Sequence, residues 1–420
     1  MGAGRCDRSA SVIRHTALLD GAAPIAPCDQ PLTVSTGAAR QSFLALRVMT
    51  SASTLERPLA TRPAGRPSGS GRRLDLDVVR GMAILLAMGW HFNVPVGNRL
   101  LDALQRPGGS FGWAGVDLFF VLSGFLLGRL ALKEHAETGR FNGLRFTARR
   151  LLKLWPVLYV FLAVQALVGP EPWTSFLWQN GLHVQNYAGT SLAHLWSLAV
   201  EEHFYLALAV LYPLFARRRG SPRLLVGVLV GVLVAALLLR IWGTADGVSD
   251  VRLQWRSHFR IDSLAAGVLL AVVSVHWPER FDRLVRRRWL WAAVTALGIT
   301  FLTVVGKDGF LGTTMGFTVA YVTAAAFLLL LYRAAWVHRV RVLSAPVAAL
   351  GRYSYGIYIW HLFAAHTVLA LLPGVGWESR PALTLGVEYA VAIGVGVLAT
   401  VVVEKPALRL RDRLPLTAPR

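Results

Sequence analysis

From residue 74 onward, apolar stretches long enough to cross a bilayer alternate with short polar or basic connections. They fall near 74–94, 113–132, 154–170, 193–215, 224–243, 258–276, 289–306, 313–332, 346–372 and 382–403. A crossing helix takes about 20 residues. The pattern therefore predicts an all-α integral membrane protein, a bundle of about ten transmembrane helices. The stretch 171–192, EPWTSFLWQNGLHVQNYAGTSL, is too polar to cross, and its aromatic residues place it along the interface. Residues 1–73 hold no continuous apolar run and are rich in Arg, Ser, Pro, Gly and Ala, so they are predicted to be a disordered basic tail. No apolar core followed by a cleavage site marks a signal peptide there. Met49 offers an alternative start. The predicted divisions are the tail 1–73, a transmembrane domain 74–406 and a short basic tail 407–420.

Charge orients this bundle. With the N-terminus inside, the inner connections are 129–153, 216–223, 277–288, 333–345 and 404–420. Each carries at least three Lys or Arg, and no outer connection carries more than two. That alternation predicts cytoplasmic N- and C-termini, and an extra or missing span would scramble it. The chain is 54% hydrophobic and 16% charged, which fits the membrane class. Its formal net charge of +21 sits between apolar runs, so the partner it implies is the lipid bilayer and not nucleic acid. The two cysteines, Cys6 and Cys28, both lie in the tail and imply no disulfide framework.

Ionisable side chains inside the spans carry the chemistry, because a bilayer tolerates them only where they face protein or water. In the first span Arg80 and His91 are eleven residues apart. They share nearly one azimuth, roughly 16 Å along the helix axis. Snorkelling of Arg80 and capping by His91 is the simpler account of each alone; the shared face favours a site. In the second span Gly115, Ser123, Gly124 and Gly128 suit close helix packing, and packing is the simpler account of Ser123. Arg149, Arg150 and Lys153 precede the third span. They are either topology charges or a mouth for a phosphorylated donor, since Arg grips phosphate as a fork. The fourth span opens HLWSLAVEEHFYL. Glu201 shares a face with His194, and its depth is expected to match that of His91. A carboxylate near an imidazole fixes its tautomer and raises its basicity, which is the equipment of a general base. Glu202 points about 100° away from Glu201. Arg260 and Asp262 open the sixth span, where an interfacial ion pair is the simpler account. In the ninth, Tyr355, Tyr358 and His361 recur at helical spacing, with His361 near the middle of the membrane. No HExxH, CxxC, Walker or GxSxG pattern is present, so no metal is expected.

The segments RGMAILLAMGWH, GVDLFFVLSGFLLGR, ARRLLKLWP, HLWSLAVEEHFYL, RIDSLAAGVLLA, GRYSYGIYIWH and VEKP follow one another in this order. Together they resemble the membrane acyltransferase-3 family from about Leu74 to Pro406. That family comprises bacterial membrane proteins of about ten helices that acylate sugars and related acceptors. The resemblance carries its arginine–ten residues–histidine motif onto Arg80 and His91, and its Ser-Gly-Phe signature onto Phe119 to Phe125, with Ser123. It carries the inner arginine pair onto Arg149 and Arg150, and the Trp-Ser-Leu–Glu motif onto Trp196 and Glu201. Arg260 and Asp262 match its second-half motif, and Ser354, Tyr355, Tyr358 and His361 the next. Glu404, Lys405 and Pro406 close it. His203 stands where the family usually has Gln. The SGNH hydrolase-like segment of some members has no counterpart in these 420 residues, so transfer is expected to rest on the bundle alone.

The resemblance implies an O-acyltransferase of the bacterial cytoplasmic membrane. Acyl-coenzyme A is the expected donor substrate, with no permanently bound cofactor. The acceptor is a hydroxyl of a surface glycan, lipid-linked sugar or secreted metabolite. His91, Glu201 and Arg80 are the expected catalytic set. Arg149, Arg150, Ser123, Trp196, Arg260, Asp262, Tyr355, Tyr358 and His361 are the expected binding set. Direct transfer and an acyl-histidine intermediate both remain open. The rival reading is a transporter or flippase for a lipid-linked sugar, which would use the same buried charges as a path.

Overall fold

The computed structural model describes residues 73–218 and 220–414. The predicted N-terminal tail up to residue 72, the alternative start at Met49 and the last six residues lie outside them. Every predicted span has its helix. These are α1 (Leu74–His91), α2 (Gly115–Thr138), α3 (Gly143–Val168), α4 (Trp196–Arg217), α5 (Pro222–Ala245), α6 (Ser257–His276), α7 (Arg288–Val305), α8 (Phe317–Leu331), α9 (Arg341–Leu371) and α10 (Pro381–Ala399). No strand occurs among the described residues.

Among the described residues eight helices are long and apolar enough to cross a membrane, nine if the bent pair Arg341–Leu371 and Pro373–Ser379 counts as one span. The shortfall from ten has a physical cause. α1 is 18 residues long, enough for about 27 Å, but it carries Asp75, Asp77 and Arg80 in its first two turns. Those charges are buried or half-buried inside the bundle, where α1 packs against α2 and α9.

Three boundaries differ from expectation. The inner connection 129–153 is nearly all helix: α2 runs to Thr138, Gly139 turns the chain with φ 69°, and α3 starts at Gly143. The Asn142 side chain caps α3 by accepting from the Arg145 amide at 2.9 Å. The arginine cluster thus rides on the first turns of α3. The segment 171–192, expected along the interface, is a run of short helices. Its amides fold it into a cap: Asn180 donates to the Phe176 carbonyl (2.7 Å), Gln185 to that of Leu195 (2.8 Å) and Asn186 to Ser257 Oγ (2.8 Å), with Phe176 buried beneath. Beyond α10, a helix (Lys405–Arg413) occupies the start of the predicted C-terminal tail.

Glycine sets the closest helix crossings. A Cβ on Gly124 of α2 would meet the Leu264 carbonyl oxygen at 2.1 Å, and one on Gly267 of α6 would meet that of Val121 at 2.1 Å. A Cβ on Gly81 of α1 would meet the Val347 carbonyl oxygen at 1.9 Å, and one on Gly351 of α9 that of Asp77 at 1.9 Å. Small residues let backbones touch, which is how helices associate where lipid supplies no hydrophobic drive.

The α2–α6 contact also carries a crossed pair of buried ion pairs. Arg260 donates to Asp117 (2.6 Å) and Arg240 of α5 to Asp262 (2.6 Å), with every side chain 1% exposed or less. Ser263 Oγ donates to the same Asp117 oxygen that Arg260 meets, and the Phe259 carbonyl and Thr318 help complete Arg240. Basic connections far apart in sequence meet at one end of the bundle. The Arg333 amide donates to Asp75, Arg333 pairs with Asp282, and Arg149 with Asp412.

Candidate functional site

At the Arg80 end, α1, α2, α3, α4 and α9 enclose a cavity of about 180 Å³. Arg80, Arg150 and Lys153 line it, with Ser123, Ser197, Glu201, Tyr205, Ser354, Tyr355 and Tyr358. Both oxygens of Glu201 are engaged. Ser123 Oγ donates to one at 3.2 Å, and Tyr205 Oη, one helical turn on, to the other at 2.8 Å. Arg150 and Lys153 act on the same carboxylate from α3. Arg80 is held by Asp77 at 2.9 Å on its own helix. Arg149 faces the other way, towards Asp412 at 3.7 Å, so of the two neighbouring arginines only Arg150 reaches the cavity.

At the other end of α1, His91 belongs to a layer of imidazoles. Its ring centre is 5.2 Å from that of His361, which is 5.5 Å from that of His194. His366 also acts on His91. Two cavities open on this layer and share His91, Ala193 and His194 as walls. One, about 310 Å³, is walled by Trp90, Trp113, Trp196 and Trp255, with Gln254 and Lys307. The other, about 690 Å³, runs between the end of α3, the cap and α9, and takes in Gln165, Glu171 and His366.

Tyr358 stands between the two ends. With Val116 it lines both the Arg80 cavity and the tryptophan-walled one. Its hydroxyl donates to the His194 carbonyl (2.7 Å) and contacts Ser197 Oγ (2.8 Å), which fixes it as a partition.

The predicted set is therefore divided. Arg80, Arg150, Glu201, Ser123, Tyr355 and Tyr358 converge on one cavity. His91, His361 and Trp196 belong to the opposite end. No hydrogen bond joins Glu201 to His91. The two were expected at one depth, but Glu201 lies seven residues past His194, about 10 Å further along α4, and it is His194 that shares the layer of His91. The helical period located both faces; it did not locate where α4 enters the bundle. Arg260 and Asp262 serve the buried ion pairs and line none of these three cavities. They do not pair with each other, as the interfacial reading expected. Trp196 packs edge-on against Phe120 and lies 5.4 Å from the Arg260 guanidinium.

Sequence reasoning missed Tyr205 and Arg240. Tyr205 sits four residues after Glu201, a spacing that puts both on one face. Arg240 is a lone charge in LLLRIW, an anomaly of the same kind as Arg80. Among the described residues no group of three or more His, Cys, Asp or Glu side chains has a geometry that could hold a metal ion.

The helical bundle, with a basic cavity at one end and an imidazole layer at the other, is that of a multi-pass membrane protein with polar chemistry inside its spans. The chain matches the acyltransferase domain family over residues 73–405 and belongs to it. It is 25% identical over 323 residues to the peptidoglycan O-acetyltransferase OatA of Listeria monocytogenes, covering 68% of this chain and 48% of that one. It is 26% identical over 283 residues to the O-acetyltransferase OatA of Staphylococcus aureus, covering 60% and 46%. With the putative membrane-bound transacylase BcsY of Komagataeibacter xylinus it shares 27% over 378 residues, covering 83% and 86%. The chain thus spans about half the length of the two OatA proteins. No solved structure matches it.

Proposed function

We propose that the chain is an O-acyltransferase of the bacterial cytoplasmic membrane that moves a short acyl group from acyl-coenzyme A to a hydroxyl of a sugar or related acceptor. The donor enters at the Arg80 end, and the basic connections support that end being cytoplasmic. Arg80, Arg150 and Lys153 meet its phosphates, with the Glu201 carboxylate on the same cavity wall. A cavity of about 180 Å³ is small against the ~300–1,000 Å³ of ligand sites generally, so it houses the thioester arm and leaves the nucleotide at the mouth. The arm passes Tyr358 towards His91. The acceptor enters from the opposite side, where tryptophan faces suit a sugar ring.

His91 takes the proton of the acceptor hydroxyl as its oxygen attacks the thioester carbonyl. The carbon–sulfur bond breaks, and the proton passes to the departing thiolate, giving ester and free thiol. A general base of this kind contributes ~10²–10⁴-fold. The observation that carries this reading is the wall shared by the two ends: Val116 and Tyr358 border both the cation-lined cavity and the one that contains His91.

The test uses purified protein in nanodiscs with acetyl-coenzyme A and an oligosaccharide acceptor. The expected result is acceptor-dependent release of free thiol, matched by an acetyl mass gain on the acceptor. Acceptor movement across sealed vesicles without acyl exchange would instead identify a transporter.

A further inference from the structure

A histidine that accepts a proton on one ring nitrogen must carry one on the other, and an acceptor opposite the second nitrogen decides which is which. Glu201 does not supply that acceptor to His91, because it lines the Arg80 cavity and His91 lines the two at the opposite end. The ring neighbours of His91 point to another candidate.

His361 is fully buried. Its Nδ1 lies 2.7 Å from the Tyr358 carbonyl oxygen. A carbonyl only accepts, so Nδ1 carries the hydrogen, and Nε2 of the neutral ring is a lone pair. That Nε2 is buried with no partner, although buried acceptors are seldom left unpaired. Two imidazoles flank the His361 ring. His194 cannot donate to that Nε2 in the neutral state, because its own Nε2 hydrogen is committed to the Ile359 carbonyl at 3.1 Å and its other nitrogen is itself a lone pair. His91 can. Ring centres 5.2 Å apart bring facing nitrogens to about 3 Å once the rings turn towards each other, a hydrogen-bond distance.

We infer that His361 is the positioning residue of His91. Its Nε2 takes the N–H of His91 and leaves the other His91 nitrogen bare towards the acceptor. The chain runs from the Tyr358 carbonyl through His361 to His91. It puts a neutral ring where a catalytic triad places a carboxylate. The arrangement suits a site within the spans, where a second charge would be expensive. Tyr358 thereby has two roles: its side chain divides the cavities and its carbonyl sets the tautomer of His361. This inference rests on His91 being the base, and the test separates the two ideas.

Turnover and both KM values are measured for His361→Leu, His361→Gln, His91→Ala and the double variant His91→Ala/His361→Leu in nanodiscs, with thermal unfolding as the control for folding. His361→Leu is expected to lower kcat by about 10²-fold, the low end of what a positioned base contributes, with KM for acyl-coenzyme A unchanged. In His361→Gln the amide can donate to the Tyr358 carbonyl and accept from His91, so kcat should return to within about tenfold of wild type. The double variant should be no slower than His91→Ala, since residues acting as one unit are not additive. Wild-type kcat in a folded His361→Leu variant, with His91→Ala inactive, overturns this inference and leaves the base in place. Multiplied losses in the double variant overturn it as well. An active His91→Ala variant refutes the underlying base reading. If His361→Leu does not fold, His361→Gln decides: near-wild-type turnover supports the relay, and a loss equal to that of His91→Ala overturns it.

Discussion

Arg149 and Arg150 are neighbours in the chain and part in the fold. Arg150 lines the cavity beside Glu201, while Arg149 turns to Asp412. Charge-assisted hydrogen bonds contribute about 1.5–3 kcal/mol. Arg150→Ala is therefore expected to raise KM for acyl-coenzyme A by about tenfold or more, and Arg149→Ala by less than about threefold. Equal effects of the two would make both topology charges only. Glu201→Gln keeps the shape but loses the charge that faces Arg150 and Lys153, so its main effect should also fall on donor KM. A pure kcat loss with donor KM unchanged would place Glu201 in the chemistry with His91. Arg80, His91 and Glu201 were legible as candidates, because an ionisable side chain in an apolar helix stands out in one dimension. Which of them meet was not legible. Arg80 and His91 share a face yet serve different cavities, since eleven residues along a helix exceed the reach of either side chain.

At the scale of elements, hydropathy placed all ten long helices, and its errors cluster at their ends. α2 and α3 extend beyond the apolar stretch because Gly139 and the Asn142 cap, not hydropathy, decide where the helices stop. The buried ion pairs were invisible for a related reason: Asp117, Arg240, Arg260 and Asp262 lie on three helices, and spacing along one says nothing about the others. Removing one partner of a buried pair costs ~3–5 kcal/mol. Arg240→Leu is expected to lose that stability and drop the thermal midpoint, although Arg240 lines none of the three cavities of the site; an unchanged midpoint would contradict the role given to the pair.

The cap between α3 and α4 is expected to be sensitive to acid. His183 stacks on Trp155, and burial first, then nearby His203, holds its pKa down to about 4, against about 6.5 in an unfolded chain. Its contribution to stability is full above about pH 6.5 and is lost as pH falls from there towards 4, because only the unfolded state binds the proton in that window. His183→Asn, which tolerates the φ of 56°, should flatten the fall of the thermal midpoint between pH 7 and pH 5. An unaltered slope would assign the acid sensitivity elsewhere.

Across the whole molecule, the alternation of basic connections agrees with the way these segments gather at one end of the bundle. If that end is cytoplasmic, reporter fusions at residues 140, 220, 284 and 338 will read inside, and fusions at 103, 181 and 250 outside. An external signal at 220 would break the ten-span arrangement. On the function proposed above, the same orientation puts the Arg80 cavity and the donor inside and the imidazole layer outside, with transfer through the bundle. The most direct test of the account is single-turnover transfer of labelled acetyl from acetyl-coenzyme A by His91→Ala in nanodiscs, beside the wild type. The account predicts no ester and no acceptor-dependent thiol, from a protein that is folded and binds acetyl-coenzyme A as the wild type does. Transfer by His91→Ala at a near-wild-type rate would contradict it.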